Sequence, residues 1–138
     1  MRFRSNVSIL FKEAPFLEQF GMAKRARFSA VEFWWPGGED LGEVERAIKE
    51  ADPSVALFNF DAGDMSAGDR DLIRDPFRQD QFKENVPVTL ELTQRLGCTR
   101  LNALVGQESA GMSRVERLDL AGERGVGCAP GGGVRPSD

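Results

Sequence analysis

The chain has 138 residues, of which 41% are hydrophobic and 29% charged, so its length and composition suit one globular domain and exclude two full-sized ones. A net charge of −4 argues against nucleic acid as a partner. No stretch of about 18 apolar residues and no signal-peptide core occur, so we expect a cytoplasmic protein with no membrane partner.

Hydrophobic periodicity predicts alternating strands and helices along the first three-quarters of the chain. The predicted strands cover residues 3–10, 30–34, 54–60 and 100–105, and the predicted helices cover residues 15–26, 40–51 and 80–96. The order β-α-β-α-β-α-β predicts an α/β fold whose parallel strands are joined by right-handed crossovers.

Several residues suit the ends and interruptions of these elements. Asp40 is placed to cap the second helix, and Gly97 is placed to end the third in a left-handed conformation. Pro87 lies inside the third helical pattern and should kink or restart that helix. In the first strand, the pattern places Phe3 and Val7 on one face together with Ile9.

The composition changes at residue 107. The segment from 107 to 138 holds 7 of the 15 glycines and lacks the apolar residues needed for a core. We therefore predict one α/β domain over residues 1–106 and a low-complexity, disordered tail over residues 107–138, with a short helix at residues 113–120 as its one candidate element.

The kinds of residue present limit the chemistry of the chain. Histidine is absent, which excludes Ser-His-Asp, Cys-His and histidine–zinc sites within it. Acid–base chemistry must therefore use carboxylates, lysine or cysteine. Cys98 and Cys128 are predicted to be reduced thiols, with a disulfide between them as the alternative.

Each predicted strand carries one polar residue near its carboxyl end, where ligands bind in βα proteins. These residues either contact a ligand or satisfy backbone groups of the loops, and they are Asn6, Glu32, Asn59 and Asn102. The Trp34-Trp35-Pro36 stretch, also at a strand end, either covers the same mouth or packs in the core.

One connection is much longer than the usual 2–6 residues. Residues 59–78 read NFDAGDMSAGDRDLIRDPFR and follow the third predicted strand. Such a segment is either disordered or functional, and its position at the ligand-binding end of the sheet favours an active-site wall.

This loop also carries a family resemblance. Its Asn-x-x-Ala-Gly-Asp, Ala-Gly-Asp-Arg and Pro-x-Arg motifs resemble those of the hydroxypyruvate isomerase family. Further matching segments follow in order along residues 2–106, namely NVSILF at 6–11, PFLEQF at 15–20, FSAVEF at 28–33, LGC at 96–98 and RLNALVG at 100–106.

The resemblance implies the N-terminal half of a xylose-isomerase-like (β/α)₈ TIM barrel, cut short after the fourth strand. It implies interconversion of hydroxypyruvate and 2-hydroxy-3-oxopropanoate by proton transfer through an enediol(ate). Two carboxylates and a divalent metal suit that chemistry. In the family these groups come from later strands, so we expect no metal site in this chain and no activity from the chain alone.

Carried onto this sequence, the resemblance makes Asn6, Glu32, Asn59, Arg78 and Asn102 candidates for binding a small 2-oxo or hydroxy acid. Glu32 is the one weak catalytic candidate, with a supporting carboxylate as the alternative. Arg78 would anchor a substrate carboxylate or lie solvated at a helix start.

The same resemblance marks a departure and leaves other functions open. Arg27 stands where the family usually has glycine and must avoid or adopt a positive φ. A 2-oxo-tetronate isomerase is the near alternative. A non-catalytic half-barrel that self-associates or pairs with a complementary half is another. An epimerase or endonuclease-like role is disfavoured by the acidic charge.

Overall fold

The computed structural model describes residues 3–69, 71–73, 75, 77–104, 113, 115, 116, 119 and 122. Within these residues the strands pair in parallel in the order β1-β2-β3-β4, which confirms the predicted α/β half-barrel. The strands are β1 (Arg4–Asn6), β2 (Ala30–Phe33), β3 (Ser54–Asn59) and β4 (Leu101–Asn102). The helices are α1 (Val7–Leu10), α2 (Phe16–Arg25), α3 (Leu41–Ala51) and α4 (Gln79–Arg95).

The prediction for the first strand is wrong beyond Asn6, because Val7–Leu10 forms a helical turn. Val7 is fully buried, but Phe3 and Ile9 are 63% and 52% exposed and share no buried face with it. The hydroxyl of Ser8 accepts a hydrogen bond from the backbone N–H of Trp34 at 3.1 Å. That side-chain bond takes the place of the next strand-to-strand bond, so the local alternation of apolar residues did not predict where pairing stops.

The core lies between one face of the sheet and helices α2 and α3. Phe33 of β2 and Phe58 of β3 stack with ring centroids 5.3 Å apart, and Phe20 of α2 meets Phe33 edge-on at 5.6 Å. All three rings are essentially buried. Aromatic pairs in these geometries add stabilisation beyond the area they bury. The periodicity of the sequence predicted these helices because it places their apolar stripes on this face.

The ends of the helices follow local chemistry. Asp40 caps α3 as predicted, with its carboxylate accepting from the backbone N–H of Glu43 at 3.0 Å. Gly97 follows α4 with φ +61°, as predicted. Arg27 follows α2 with φ +64°, so the expected positive φ is adopted without glycine. Asp52 after α3 is also left-handed, at φ +60°, which the sequence pattern did not predict.

Helix α4 continues through Pro87, so the helix is not restarted there. Proline removes one backbone N–H donor from the helix interior. Phe82 before it and Leu92 after it are both buried, in two different apolar clusters, and anchor the two halves of the helix.

The opposite face of the sheet carries a different set of side chains. Asn6 pairs with Glu32, and Glu32 pairs with Leu57, so these three side chains share one face. Each is only half-buried. Parallel sheets are normally covered on both faces, so this face is the side that would point into a closed barrel.

The predicted tail lies mostly outside the described residues, so its disorder and the domain boundary at residue 106 stay predictions. The backbone is helical at residues 115, 116, 119 and 122. Ser113 and Glu116 cap each other: the Ser113 N–H donates to the Glu116 carboxylate at 2.8 Å, and the Glu116 N–H donates to the Ser113 hydroxyl at 3.3 Å. This capping box fits the short helix predicted from residue 113.

None of the helices in the described residues combines the length and apolar character that a membrane crossing requires.

Replacement of Phe58 by alanine tests the core. Phe58 is fully buried, so Phe58→Ala should lower the free energy of unfolding by about 3–5 kcal/mol. Phe77 is 94% exposed and provides a matched control whose alanine variant should stay within about 0.5 kcal/mol of the parent. Denaturant unfolding measures both, and equal losses would contradict the assigned core.

Candidate active site

A cavity of about 740 Å³ opens at the carboxyl edge of the sheet, between the loops that follow β2 and β3. Residues of α4 and the segment after β4 complete its wall. The lining residues fall into four groups: the β2 loop with Leu41, the β3 loop with the end of β3, two polar residues of α4, and Leu104. They are Trp34, Trp35, Pro36, Gly37, Gly38, Glu39, Leu41, Asn59, Phe60, Asp61, Ala62, Gly63, Asp64, Met65, Ser66, Gln81, Asn85 and Leu104.

Both tryptophans line the cavity, and Trp35 also packs against the core. Trp35 lies against Phe58 of the core, with ring centroids 6.5 Å apart, while it also lines the cavity. Trp34 lines the cavity too, and the ammonium of Lys12 lies 5.5 Å from its ring centroid. Packing against the core holds the Trp35 indole in place at the cavity wall.

Residues 60–66 of the long loop after β3 line the cavity, and apolar contacts hold the loop in place. Phe60, Leu72 and Ile73 form a second buried apolar cluster with Phe82 of α4. Leucine and isoleucine inside the charged sequence thus anchor the loop on the helix that follows it.

Side-chain caps fold the first half of this loop tightly. The Asp64 carboxylate accepts from the N–H of Ser66 at 2.9 Å and of Ala67 at 3.1 Å, and from the Ser66 hydroxyl at 2.5 Å. The Ser66 hydroxyl first, and then these backbone donors, hold the pKa of Asp64 below its ordinary value. Gly63 has φ +88°, and a Cβ there would lie 2.4 Å from Asp69, so only glycine fits.

Arg78 pairs with two carboxylates of the same loop. Its guanidinium donates to Asp75 at 2.7 Å and to Asp69, which in turn accepts from the N–H of Asp64 at 2.9 Å. The hydrogen bond from Arg78 holds the pKa of Asp69 below its ordinary value. For Asp75, burial acts to raise the pKa, but the Arg78 hydrogen bond and backbone donors outweigh it and the pKa falls.

Because both carboxyl pKa values are lowered by folding, these pairs stabilise the loop above the ordinary pKa of 3.8. That contribution is lost as the pH falls through the lowered values.

The residues predicted from sequence are only partly brought together. Asn59 lines the cavity, and its side-chain oxygen Oδ1 accepts from the side-chain amide Nδ2 of Asn102 at 3.1 Å. Asn6 and Glu32 lie on the same face of the sheet but not in the cavity wall. The side-chain oxygen Oδ1 of Asn6 is buried without a hydrogen-bond partner in the described residues.

Arg78 occupies a different position from the one expected of a substrate anchor. It does not line the cavity, and its guanidinium is held by Asp69 and Asp75. Arg78 does stand at the start of α4, as its N-cap residue, but its guanidinium is paired with these two carboxylates. A role in binding substrate stays a prediction.

Sequence reasoning missed the polar residues that line the cavity beside Asn59. The Asp61 carboxylate accepts from the Gly63 N–H at 2.9 Å and from the side-chain amide of Asn85. Gln81 and Asn85 lie four residues apart on α4, and Glu39 follows the glycine pair after β2. The sequence did contain a signal for these residues. Asp61 directly follows the predicted strand over residues 54–60, and the i, i+4 spacing of Gln81 and Asn85 puts their side-chain amides on one face of the helix.

The described residues contain no group of three or more Asp, Glu, Cys or His side chains that could hold a metal ion. The expectation that this chain holds no metal site stays a prediction. No step proposed for this chain depends on a metal.

Known proteins share this architecture and sequence. No family model matches the chain. It is 34% identical over 113 residues to hydroxypyruvate isomerase of Escherichia coli, a match that covers 82% of this chain and 44% of that protein. It is 31% identical over 115 residues to 2-oxo-tetronate isomerase of Haemophilus influenzae, covering 83% and 45%.

Over most of its length, the chain is thus homologous to proteins named hydroxypyruvate isomerase and 2-oxo-tetronate isomerase. It spans about half the length of the curated relatives it matches. The crystal structure of an AP endonuclease, family 2, from Brucella melitensis gives a TM-score of 0.78 at 33% identity, covering 89% of this chain and 47% of that one. A Sinorhizobium meliloti protein, at 16% identity and a TM-score of 0.62, shares the fold. The chain aligns with about half of each of these two structures, so it has the fold of part of a barrel.

Loss of the Arg78 pairs tests how the wall is held. In Arg78→Met, Asp69 loses its ion pair with Arg78. The backbone N–H of Asp64, which donates a hydrogen bond to Asp69, should therefore exchange hydrogen faster, while the amides of the sheet keep their protection. Arg46→Met is the matched control, since Arg46 pairs with Glu43 on the exposed surface of α3. Equal exchange of the Asp64 amide in both variants would show that the pairs do not hold the wall.

Proposed function

We propose that this chain forms the substrate-binding part of an isomerase that interconverts hydroxypyruvate and 2-hydroxy-3-oxopropanoate. The reaction moves a proton between adjacent carbons beside a carbonyl, through an enediol(ate). The observation that carries the proposal is the cavity at the carboxyl edge of the sheet, in a chain homologous to enzymes named for this chemistry. We also propose a cytoplasmic location, in keeping with the reduced, buried thiol of Cys98.

The residues of this chain contribute binding and orientation. Asn59 is fixed by Asn102, and Asp61 is fixed by Asn85 and the backbone of Gly63, so hydrogen-bonding groups face a substrate from set positions. Such preorganisation keeps the reacting atoms oriented. Trp34, Trp35 and Pro36 give one side of the cavity an apolar surface.

Glu32 is the acid–base candidate that this chain offers. It is half-buried on β2, between Asn6 and Leu57, and does not line the cavity. This position suits a supporting carboxylate better than a proton-transfer group, which has to lie within hydrogen-bond reach of the substrate. We therefore expect the chain alone to bind substrate without turning it over.

The half-buried face of the sheet favours a second proposal, that the half-barrel associates with another chain. The face that carries Asn6, Glu32 and Leu57 is half-buried, and β1 and β4 are both edge strands. Open strand edges favour pairing with another chain. A second copy of the chain, or a complementary half, would cover this face and pair with the two edge strands.

The Brucella relative is named for an endonuclease activity on the same fold. The described cavity lining contains Glu39, Asp61 and Asp64 and no lysine or arginine, and a phosphate backbone is bound chiefly through such cations. An isomerase is therefore the better-supported proposal.

A chimera tests the proposed function. We would join this chain to the part of the Escherichia coli hydroxypyruvate isomerase that has no counterpart in it, and follow hydroxypyruvate isomerisation in a coupled assay. We expect the chimera to turn over and the chain alone to be inactive and self-associated by light scattering. In the chimera, Glu32→Gln should lower kcat by less than about tenfold, since loss of a proton-transfer group costs roughly 10²–10⁴-fold.

Glu50→Gln is the control, because Glu50 lies exposed near the end of α3, shortly before β3 begins and away from the carboxyl ends of the strands. A folded chimera without turnover would contradict the proposed function. An active monomer of the chain alone would contradict its assignment as a binding half.

A further inference from the structure

We propose that two copies of this chain join edge to edge into one closed barrel of eight parallel strands, with β4 of each copy paired to β1 of the other. This inference rests on the proposed association of the half-barrel. It fixes the partner as a second copy of the chain and the contact as strand pairing. The open edges of the sheet, the charges of its open face and the apolar residues beside β1 each support it.

The open edges and the extent of the sheet allow two copies to close. In the described sheet, β1 and β4 each have a neighbouring strand on one side only, and all four strands are parallel. The chain covers 47% of the Brucella structure with a TM-score of 0.78, so its strands are arranged as in about half of that fold. A contact between two different edges makes a closed ring when the copies complete the turn, and two half-barrels do so. Side chains fill the interior of an eight-stranded barrel, so the closed assembly has a packed core.

The face that this closure would bury carries balanced charges. Ser5 is fully buried beside Val31 of the core. Because side chains alternate along a strand, Arg4 and Asn6 lie on the opposite, open face, together with Glu32.

Arg4 and Glu32 are the only charged residues of the four described strands. Arg4 is exposed and Glu32 is half-buried. Each copy therefore brings one cation and one anion to the enclosed face, and two copies bring equal numbers. Enclosed charges are tolerated where opposite charges pair with them, so this balance permits closure.

Exposed apolar side chains are concentrated beside β1. Phe3, Ile9 and Leu10 are 63%, 52% and 54% exposed, and they lie directly before β1 and in the helical turn that follows it. They are three of the six large apolar side chains that are exposed in the described part of the chain. In the paired copy, Ala103 and Leu104 follow β4 to the same edge of the sheet and would cover this turn. Burial of apolar surface then stabilises the contact.

The mass of the full chain in solution is the first test. Light scattering and sedimentation velocity should show a monomer–dimer equilibrium whose largest species has twice the chain mass of 15.2 kDa. A chain that stays monomeric up to about 1 mM would overturn the proposal. Oligomers that keep growing with concentration would overturn it as well, because they show a contact that does not close.

A mixture of isotope-labelled and unlabelled chains locates the contact. Paired strands lie about 5 Å apart, within reach of nuclear Overhauser effects. We expect such effects between the amides of Leu101 and Asn102 in one copy and protons of Arg4–Asn6 in the other. Effects that join β1 of one copy to β1 of the other would show a different contact and would overturn the strand pairing.

Reversal of one charge tests the open face. Arg4→Glu leaves only anions on the enclosed strands and should raise the dissociation constant of the dimer at least about tenfold. Arg4 is exposed in the single copy, so the fold should persist, which circular dichroism checks. Arg46→Glu is the control, because Arg46 lies on the exposed surface of α3, between the two inner strands. Equal dissociation constants for the two variants would contradict a closed barrel.

These results are separate from those of the chimera assay. A monomeric chain would leave turnover by the chimera standing, and a chimera without turnover would leave a measured closed dimer standing.

Discussion

Parallel pairing of the four strands is the constraint on which the rest of this structure depends. Because β1 to β4 all run in one direction, every strand delivers its following loop to the same edge. The stacked Phe33 and Phe58 rings fix β2 beside β3 from the helix side. Their following loops, which contribute two tryptophans and two aspartates to the lining, therefore face each other across a single cavity. The site is a consequence of the strand order.

The charged loop after β3 shows how such a sequence can still be ordered. Three of its apolar residues, Phe60, Leu72 and Ile73, are buried against α4. Its charges pair with one another through Arg78, and its glycine at 63 fits where a side chain would collide.

Much of the fold could be predicted from sequence because the elements are periodic and locally capped. The stripes of α2 and α3, the cap at Asp40 and the left-handed Gly97 each depend on neighbouring residues. The end of β1 could not, because it depends on Ser8 meeting Trp34, 26 positions away. For the site, Asn59 could be found from its strand end, whereas the position of Arg78 depends on loop contacts that periodicity does not describe.

The central claim is that the carboxyl-edge cavity is where this chain binds its ligand, and a nuclear magnetic resonance titration of the isotope-labelled chain with hydroxypyruvate tests it most directly. We expect shifts to concentrate on the indole N–H groups of Trp34 and Trp35 and on the amide of Asn59, all in the cavity wall. Signals at the opposite edge, such as those of Ser29 and Asp52, should stay unchanged. Shifts concentrated at that edge, or spread evenly over the sheet, would contradict the claim.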